Sequence, residues 1–310
     1  MRTVASIVVL APLALLLPAA DAECQLLASE PAIVSQTVDG TKVTVTYHRP
    51  RARGRTGLFG STIRWGETWT PGANASTKIE VSKDVTIEGQ PVPKGTDSVW
   101  IAVARDNWEM LLDRDTTLFH TQAPKHRAGQ VRFNVRREMR PFMEALTWWV
   151  PEMNATGMTV AMQWDTVYVP LRITVPPTYT RTADAELARR IVGKYRLRLE
   201  PMPEPPKDTT LHEPPGDKPP SEVTFTIRHE GGELRAVMDP PMYSSEPGYR
   251  DWLLLPRGAG MFRLGRLQQG ELVEVMDFLT VEFGSGGGPA PGFEVRLPND
   301  KVIGKGTRLP

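Results

Sequence analysis

The strictest constraint in this sequence is alternation. Lys42-Val43-Thr44-Val45-Thr46-Tyr47 changes side at every residue, and Ile79-Glu80-Val81 and Val85-Thr86-Ile87-Glu88 do the same. A period of two built on β-branched residues suits a strand with one face in a core and the other in water; it cannot hold a helical stripe on one side. The turn pairs Asp39-Gly40 and Glu88-Gly89 fall between such runs. Further strands are predicted at residues 99–104, 108–112, 130–136, 143–150, 157–164 and 168–175, after which Pro176-Pro177 closes the series. Many short strands with almost no helical pattern imply a sandwich or barrel.

The pattern changes at Thr182. Residues 183–191 read as one short helix with Thr182 or Asp184 as its cap, and Gly193 opens a second strand-rich region. Residues 201–220 hold too many prolines for a regular element and are expected to form an exposed loop inserted between the first two strands of that region. Strands resume at 222–227 and are expected at 234–238, 252–255, 261–264, 272–276, 279–283, 293–297 and 302–309. A chain of 310 residues has room for two cores, and the division expected is a domain at 30–177 and another at 183–310. Ahead of both, Met1-Arg2, an apolar run broken by Pro12 and Pro18, and small residues at Ala20 and Ala22 have the three parts of a secretory signal. Cleavage after Ala22 is expected, giving a periplasmic or extracellular protein that starts at Glu23, has no membrane span once cleaved, and carries Cys24 as a plain thiol.

Composition removes several chemistries. A formal charge of +1 provides no overall field for nucleic acid, and one cysteine cannot form an internal disulfide or a multi-cysteine zinc site. The five histidines include no His-Glu-x-x-His, so no metal is expected and no cofactor is implied. Gly-x-Ser-x-Gly is absent, and the Gly284-Ser285-Gly286-Gly287-Gly288 run is followed by Pro289 and Pro291 rather than by a helix start that could cradle phosphate. Glu109, Asp113 and Asp115 are carboxylates whose ordinary role is that of solvated turn acids. Asn74-Ala75-Ser76 and Asn154-Ala155-Thr156 match glycosylation acceptors.

Two features point to recognition. Seven of the eight tryptophans precede residue 170; most should fill a core, but the adjacent Trp148 and Trp149 must face opposite ways on a strand, leaving one free to stack on a sugar or peptide. Arg49, Arg51, Arg53 and Arg55 form a cationic loop just past a strand, suited to gripping an anionic group.

Tyr47-His48-Arg49-Pro50, Arg53-Gly54-Arg55, Leu58-Phe59-Gly60 and the Trp65-to-Thr77 run with its Trp69-x-x-Gly72-Ala73-Asn74 core continue into Val85-Thr86-Ile87-Glu88-Gly89 and Pro93-Lys94-Gly95-Thr96. Together they resemble the bacterial exported family called "domain of unknown function 2911", over roughly residues 30–175. That resemblance implies an exported all-β domain and supplies no catalytic residue. Thr70 and Asp97 stand where the family usually has an arginine and a tyrosine. From Gly193-Lys194-Tyr195 to Gly306-Thr307-Arg308 the chain resembles the small lipocalin-like barrels appended to secreted hydrolases.

The expected architecture is therefore all-β, an antiparallel β-sandwich followed by a second, small lipocalin-like β-barrel. The expected function is non-catalytic binding of a small-molecule or carbohydrate ligand at Arg49, Arg55, Trp69, Asn74 and Thr77. The alternatives are a hydrolase drawing on Asp97, Glu109, Asp113 or His48, and a scaffold for another envelope protein.

Overall fold

The runs of alternating residues become two facing sheets and a closed barrel in the computed structural model, which describes residues 27–200, 220–241, 249–258 and 260–310. The secretory leader expected at residues 1–22 lies outside the described residues, as does the loop expected at 201–220 apart from Pro220. One sheet runs β1 (Glu30–Val38), β2 (Thr41–Arg49), β4 (Lys78–Val81), β7 (Gly95–Ala102), β8 (Trp108–Asp113) and β9 (Val131–Val135), with β3 (Thr68–Trp69) also on β7. The other runs β10 (Glu138–Asn154), β11 (Gly157–Thr174), β5 (Val85–Ile87) and β6 (Gln90–Val92). Their antiparallel pairing leaves one face of each for a shared core.

Alternation fills that core. Val43, Val45 and Tyr47 of β2, Val99 and Ile101 of β7, Met110 and Leu112 of β8, and Leu146 and Trp148 of β10 all point into it and are buried. Phe59 sits between Trp69 and Trp108, with ring centroids at 5.5 and 5.1 Å, and Trp69 stacks on Trp164 at 6.1 Å. Burying each of these large rings removes on the order of 150–250 Å² from water, so per residue they contribute more than any aliphatic side chain of the core.

The strands predicted at 157–164 and 168–175 are a single one, β11. Asp165, at φ 55°, absorbs an extra residue without ending the ladder, and its buried carboxylate accepts a hydrogen bond from Leu58 N at 2.7 Å. Before this slip the inward residues are even-numbered (Met158, Val160, Met162, Trp164); after it they are odd (Val167, Val169, Leu171, Ile173).

Helix α1 (Ala185–Ile191) begins at Asp184, one of the two expected caps, whose side chain accepts from Glu186 N and Leu187 N. It leads into a closed antiparallel barrel of eight strands: β12 (Gly193–Leu199), β13 (Glu222–Glu230), β14 (Glu233–Asp239), β15 (Asp251–Pro256), β16 (Met261–Gln268), β17 (Glu271–Phe283), β18 (Gly292–Arg296) and β19 (Val302–Arg308). The strands predicted at 272–276 and 279–283 merge into β17, whose pairing with β16 shifts register between Phe262 and Leu264. Eight strands enclose just enough room for side chains. Here Tyr195, Phe225, Phe262, Phe283 and Phe293 occupy it with centroids 5.0 to 5.9 Å apart, and Ala188 and Ile191 of α1 join the same cluster. This barrel is a packed core rather than a cup.

The segment after β11 is bonded to a residue of each part. Thr178 N donates to Asp39 Oδ2 at 3.0 Å, and Tyr179 Oη donates to Asp277 Oδ1 at 2.7 Å.

Candidate functional site

The arginine loop proves to be an edge cover. β10 is the outer strand of its sheet, and residues 50–52 pair with its middle: Ala52 N donates to Glu144 O at 2.7 Å and Leu146 N to Pro50 O at 2.9 Å. An uncovered strand edge invites other chains to pair, and this loop satisfies part of it. Arg49 donates through Nε to Leu146 O and through Nη2 to Thr147 Oγ1, at 3.2 and 2.8 Å. Arg55 turns its guanidinium back on its own loop, to Ala52 O and Arg51 O at 2.8 and 3.2 Å. Arg53 reaches Ala28 O at 3.2 Å and Asn74 Nδ2 reaches Ser29 O at the same distance, so both hold the chain's approach to β1.

The other expected ligand residues sit inside the fold. Trp69 is 8% exposed within the ring cluster, and Thr77, 0% exposed, donates from Oγ1 to Pro71 O at 3.0 Å. A Cβ on Gly72 would lie 2.5 Å from Thr77 Oγ1, so the glycine permits the approach of Thr77 rather than of a ligand. Trp69 and Thr77 are corrected to core and hydrogen-bond anchor. Their spacing resembled convergence on a pocket because a loop folding back onto its own sheet needs the same small and hydrogen-bonding residues. Thr70 and Asp97, the two departures from the family pattern, are buried: Thr70 donates to Val99 O and accepts from Thr77 N, and Asp97 pairs with Arg114 at 3.2 Å.

The hydrolase candidates do not converge. Ile101 pairs with Met110 and Ser98 with Asp113, which puts Asp97 on the core side of β7 and Asp113 on the far side of β8. Burial raises the Asp97 carboxyl above the usual range, against the pull of Arg114. Burial would also raise Asp113, but hydrogen bonds from Asp115 N, Gln130 and Arg127 outweigh it and hold that carboxyl low. Glu109 is paired with Arg132 at 2.8 Å. His48, on β2, is lowered by burial, which Glu30 partly offsets. Among the described residues no group of three or more His, Cys, Asp or Glu could hold a metal.

The outward face of β10 and β11 has a different character. Trp148 points into the core and donates its indole N–H to Pro71 O at 3.1 Å, while Trp149 points outward opposite the small Ala161 and stays partly exposed. The slip at Asp165 brings Tyr168 to that same outer face, where it pairs across with Glu138. Along an extended strand Ala161 and Tyr168 would be separated by roughly 20 Å. The rings of Trp149 and Tyr168 nevertheless meet at 5.5 Å, so the hairpin, with its three register shifts, curves around this face. Arg140 lies over Tyr168 with its guanidinium carbon 4.1 Å from the ring centroid, and Gln163 donates to Pro141 O at 2.7 Å beside it. Burial raises the Tyr168 hydroxyl pKa, with Arg140 opposing, so at neutral pH it is a neutral donor and acceptor. The adjacent tryptophans signalled one member of this group; Arg140, Tyr168 and Gln163 had no signal in the sequence.

Sheet order and core placement define an all-β protein, an antiparallel sandwich followed by a closed eight-stranded barrel, with a curved aromatic and polar face on the sandwich. Residues 29–173, which run from just before β1 almost to the end of β11, match the family described as "Protein of unknown function (DUF2911)", the family that residues 30–175 resemble in sequence. No curated protein and no solved structure matches the chain.

Proposed function

We propose that this is an exported, non-catalytic carbohydrate-binding protein of two domains, 30–177 and 183–310, with the ligand received on the curved outer face of β10 and β11. The observation that carries this reading is Trp149, an indole left partly open beside Tyr168 and Arg140. A ring face stacks on the C–H face of a sugar, and the exposed Arg140 guanidinium offers hydrogen bonds to hydroxyls, while the buried Tyr168 and Gln163 form the floor beneath them. Arg49, bonded to Thr147 Oγ1 two residues from Trp149, lies at the margin of the same face. Arg55 and Asn74, with their polar groups spent on the fold, are scaffold in this reading.

The test is titration of the mature protein with neutral hexasaccharides (cello-, xylo-, laminari- and chitohexaose), followed by calorimetry and tryptophan fluorescence. At least one is expected to bind, and Trp149→Ala should weaken it at least about 10-fold, the size of one lost stacking contact of roughly 1–1.5 kcal/mol. Trp149→Ala binding as well as wild type would overturn the assignment of the face. The export half of the proposal rests on the leader sequence: intact mass of the secreted protein is expected to begin at Glu23, and a retained Met1 or a lipid on Cys24 refutes it.

A further inference from the structure

We infer that the glycan taken by this face is anionic, and that its carboxylate, sulfate or phosphate group is received in a cleft beside it, between the turn before β8 and the link from β9 to β10. This deepens the carbohydrate reading and rests on it. The cleft is open, about 620 Å³, and is lined by Glu88, Asp106, Asn107, Asn134, Arg136 and Arg137.

Charge is the first reason. Arg105, Arg136 and Arg137 have no carboxylate partner within ion-pair distance among the described residues. Arg105 lies over the Trp65 ring at 5.9 Å, and Arg137 lies over Trp108 at 5.9 Å while donating to Arg105 O at 2.7 Å. Ring contact holds a guanidinium in place while leaving its charge uncancelled. Of the acids here, Glu88 is committed to the Arg172 side chain and backbone N–H, at 3.0 and 2.6 Å, and Glu138 to Arg140 at 3.0 Å. Asp106 alone lines the cleft as a carboxylate without a cation partner among the described residues, so two uncancelled positive charges, Arg136 and Arg137, face one negative.

Availability is the second reason. Asn107, Asn134 and the exposed Arg136 make no side-chain hydrogen bond to protein among the described residues, which leaves their donors open to a ligand. Two amides and a fork of guanidinium N–H groups suit an oxyanion. Continuity is the third. Arg136 stands two residues before Glu138, which pairs with Tyr168 across the hairpin, and two residues of extended chain span only about 7 Å. A polymer stacked at Trp149 and passing Arg140 therefore brings its next substituents to Arg136.

The experiment compares oligogalacturonate with its methyl ester, the same sugar with the charge masked, and with sulfated and neutral xylohexaose. Wild type is expected to prefer the acid over the ester by about 10-fold in 50 mM salt, with the preference shrinking as salt rises. Arg136→Gln with Asn134→Ala should bring the ratio near one and leave ester binding and the melting temperature unchanged, because neither side chain supports the fold. Trp149→Ala should weaken acid and ester alike. Preference for the sulfated sugar over the acid identifies sulfate as the source of the charge. Equal binding of acid and ester by wild type, or a ratio untouched in the double variant, overturns the anionic site while the carbohydrate reading stands. Failure of every glycan to bind overturns both.

Discussion

Arg308→Ala is expected to destabilise the barrel by about 3–4 kcal/mol, near the top of the range for single substitutions. The reason is the number of carbonyls that one side chain satisfies. Its guanidinium donates to Ala290 O and Arg190 O at 2.6 Å each and to Val192 O at 2.9 Å, and it lies over the Tyr195 ring at 4.9 Å. It also donates to Tyr195 Oη, which itself donates to Ile191 O at 2.7 Å. Three consecutive carbonyls at the end of α1 are thus held by Arg308 directly or through Tyr195. A helix of seven residues cannot stand alone, and its last carbonyls have no partner inside it. Gly193 belongs to the same arrangement: at φ 152° a Cβ there would sit 2.4 Å from Arg308 Nη1. Gly193→Ala should therefore cost less in the Arg308→Ala background than in wild type, a coupling that a double-mutant cycle reads directly. Urea unfolding combined with hydrogen exchange should show the loss confined to residues 193–308. Arg308→Ala unfolding at the wild-type midpoint would mean that water replaces all these bonds at no cost.

The sequence displayed the parts of this fold that depend on local period and hid those that depend on a slip or a distant partner. Val43, Val45 and Tyr47 are buried as their alternation requires, and Trp148 and Trp149 face opposite ways as adjacent strand residues must. The aromatic face was only half legible because Tyr168 follows Asp165. Counting by twos from Val160, Met162 and Trp164 would put Tyr168 in the core, and only the extra residue at φ 55° turns it out. The arginine loop misled for another reason. Arg49 is spent on Leu146 O, 97 residues away, and nothing local distinguishes a guanidinium awaiting a ligand from one capping a strand edge. The barrel was legible as strands and a helix, yet the filling of its interior by five aromatic rings depends on the closure of β12 onto β19, a contact between the two ends of the region.

Asp113→Asn is the second substitution expected to have a large effect, about 2–3 kcal/mol at pH 7, and that effect should disappear in acid. The Asp113 side chain is fully buried and receives both Arg127, through Nε at 3.1 Å and also through Nη2, and Gln130 at 2.6 Å. Those two partners close the segment 114–130, whose Leu118 O accepts from Ser76 N at 3.0 Å and whose His120 N donates to Asn74 O at 2.8 Å. Trp100, on the same side of the sheet as Asp113 and facing away from the main core, is wholly buried. One carboxylate thus pins a loop that is hydrogen-bonded to the Trp69-to-Thr77 motif. An asparagine keeps the shape but gives up the charge, and the half-exposed Arg127 limits the penalty because water can solvate it. Because the folded-state pKa of Asp113 is lowered, its stabilisation is complete above the unfolded value of about 3.9 and is lost as pH falls below that value towards the folded one. Asp97 has the opposite sign. Its pKa is raised, so its charged form costs stability above the unfolded value, and Asp97→Asn should leave the protein at pH 7 as stable as wild type or more so. Urea midpoints at pH 7, 5 and 3 separate the two. Wild type and Asp113→Asn should differ clearly at pH 7 and 5 and converge towards pH 3, and trypsin should cut the variant first at Lys125 or Arg127. A gap that stays constant down to pH 3 would show that the loop is held by packing alone and that the carboxylate charge plays no part.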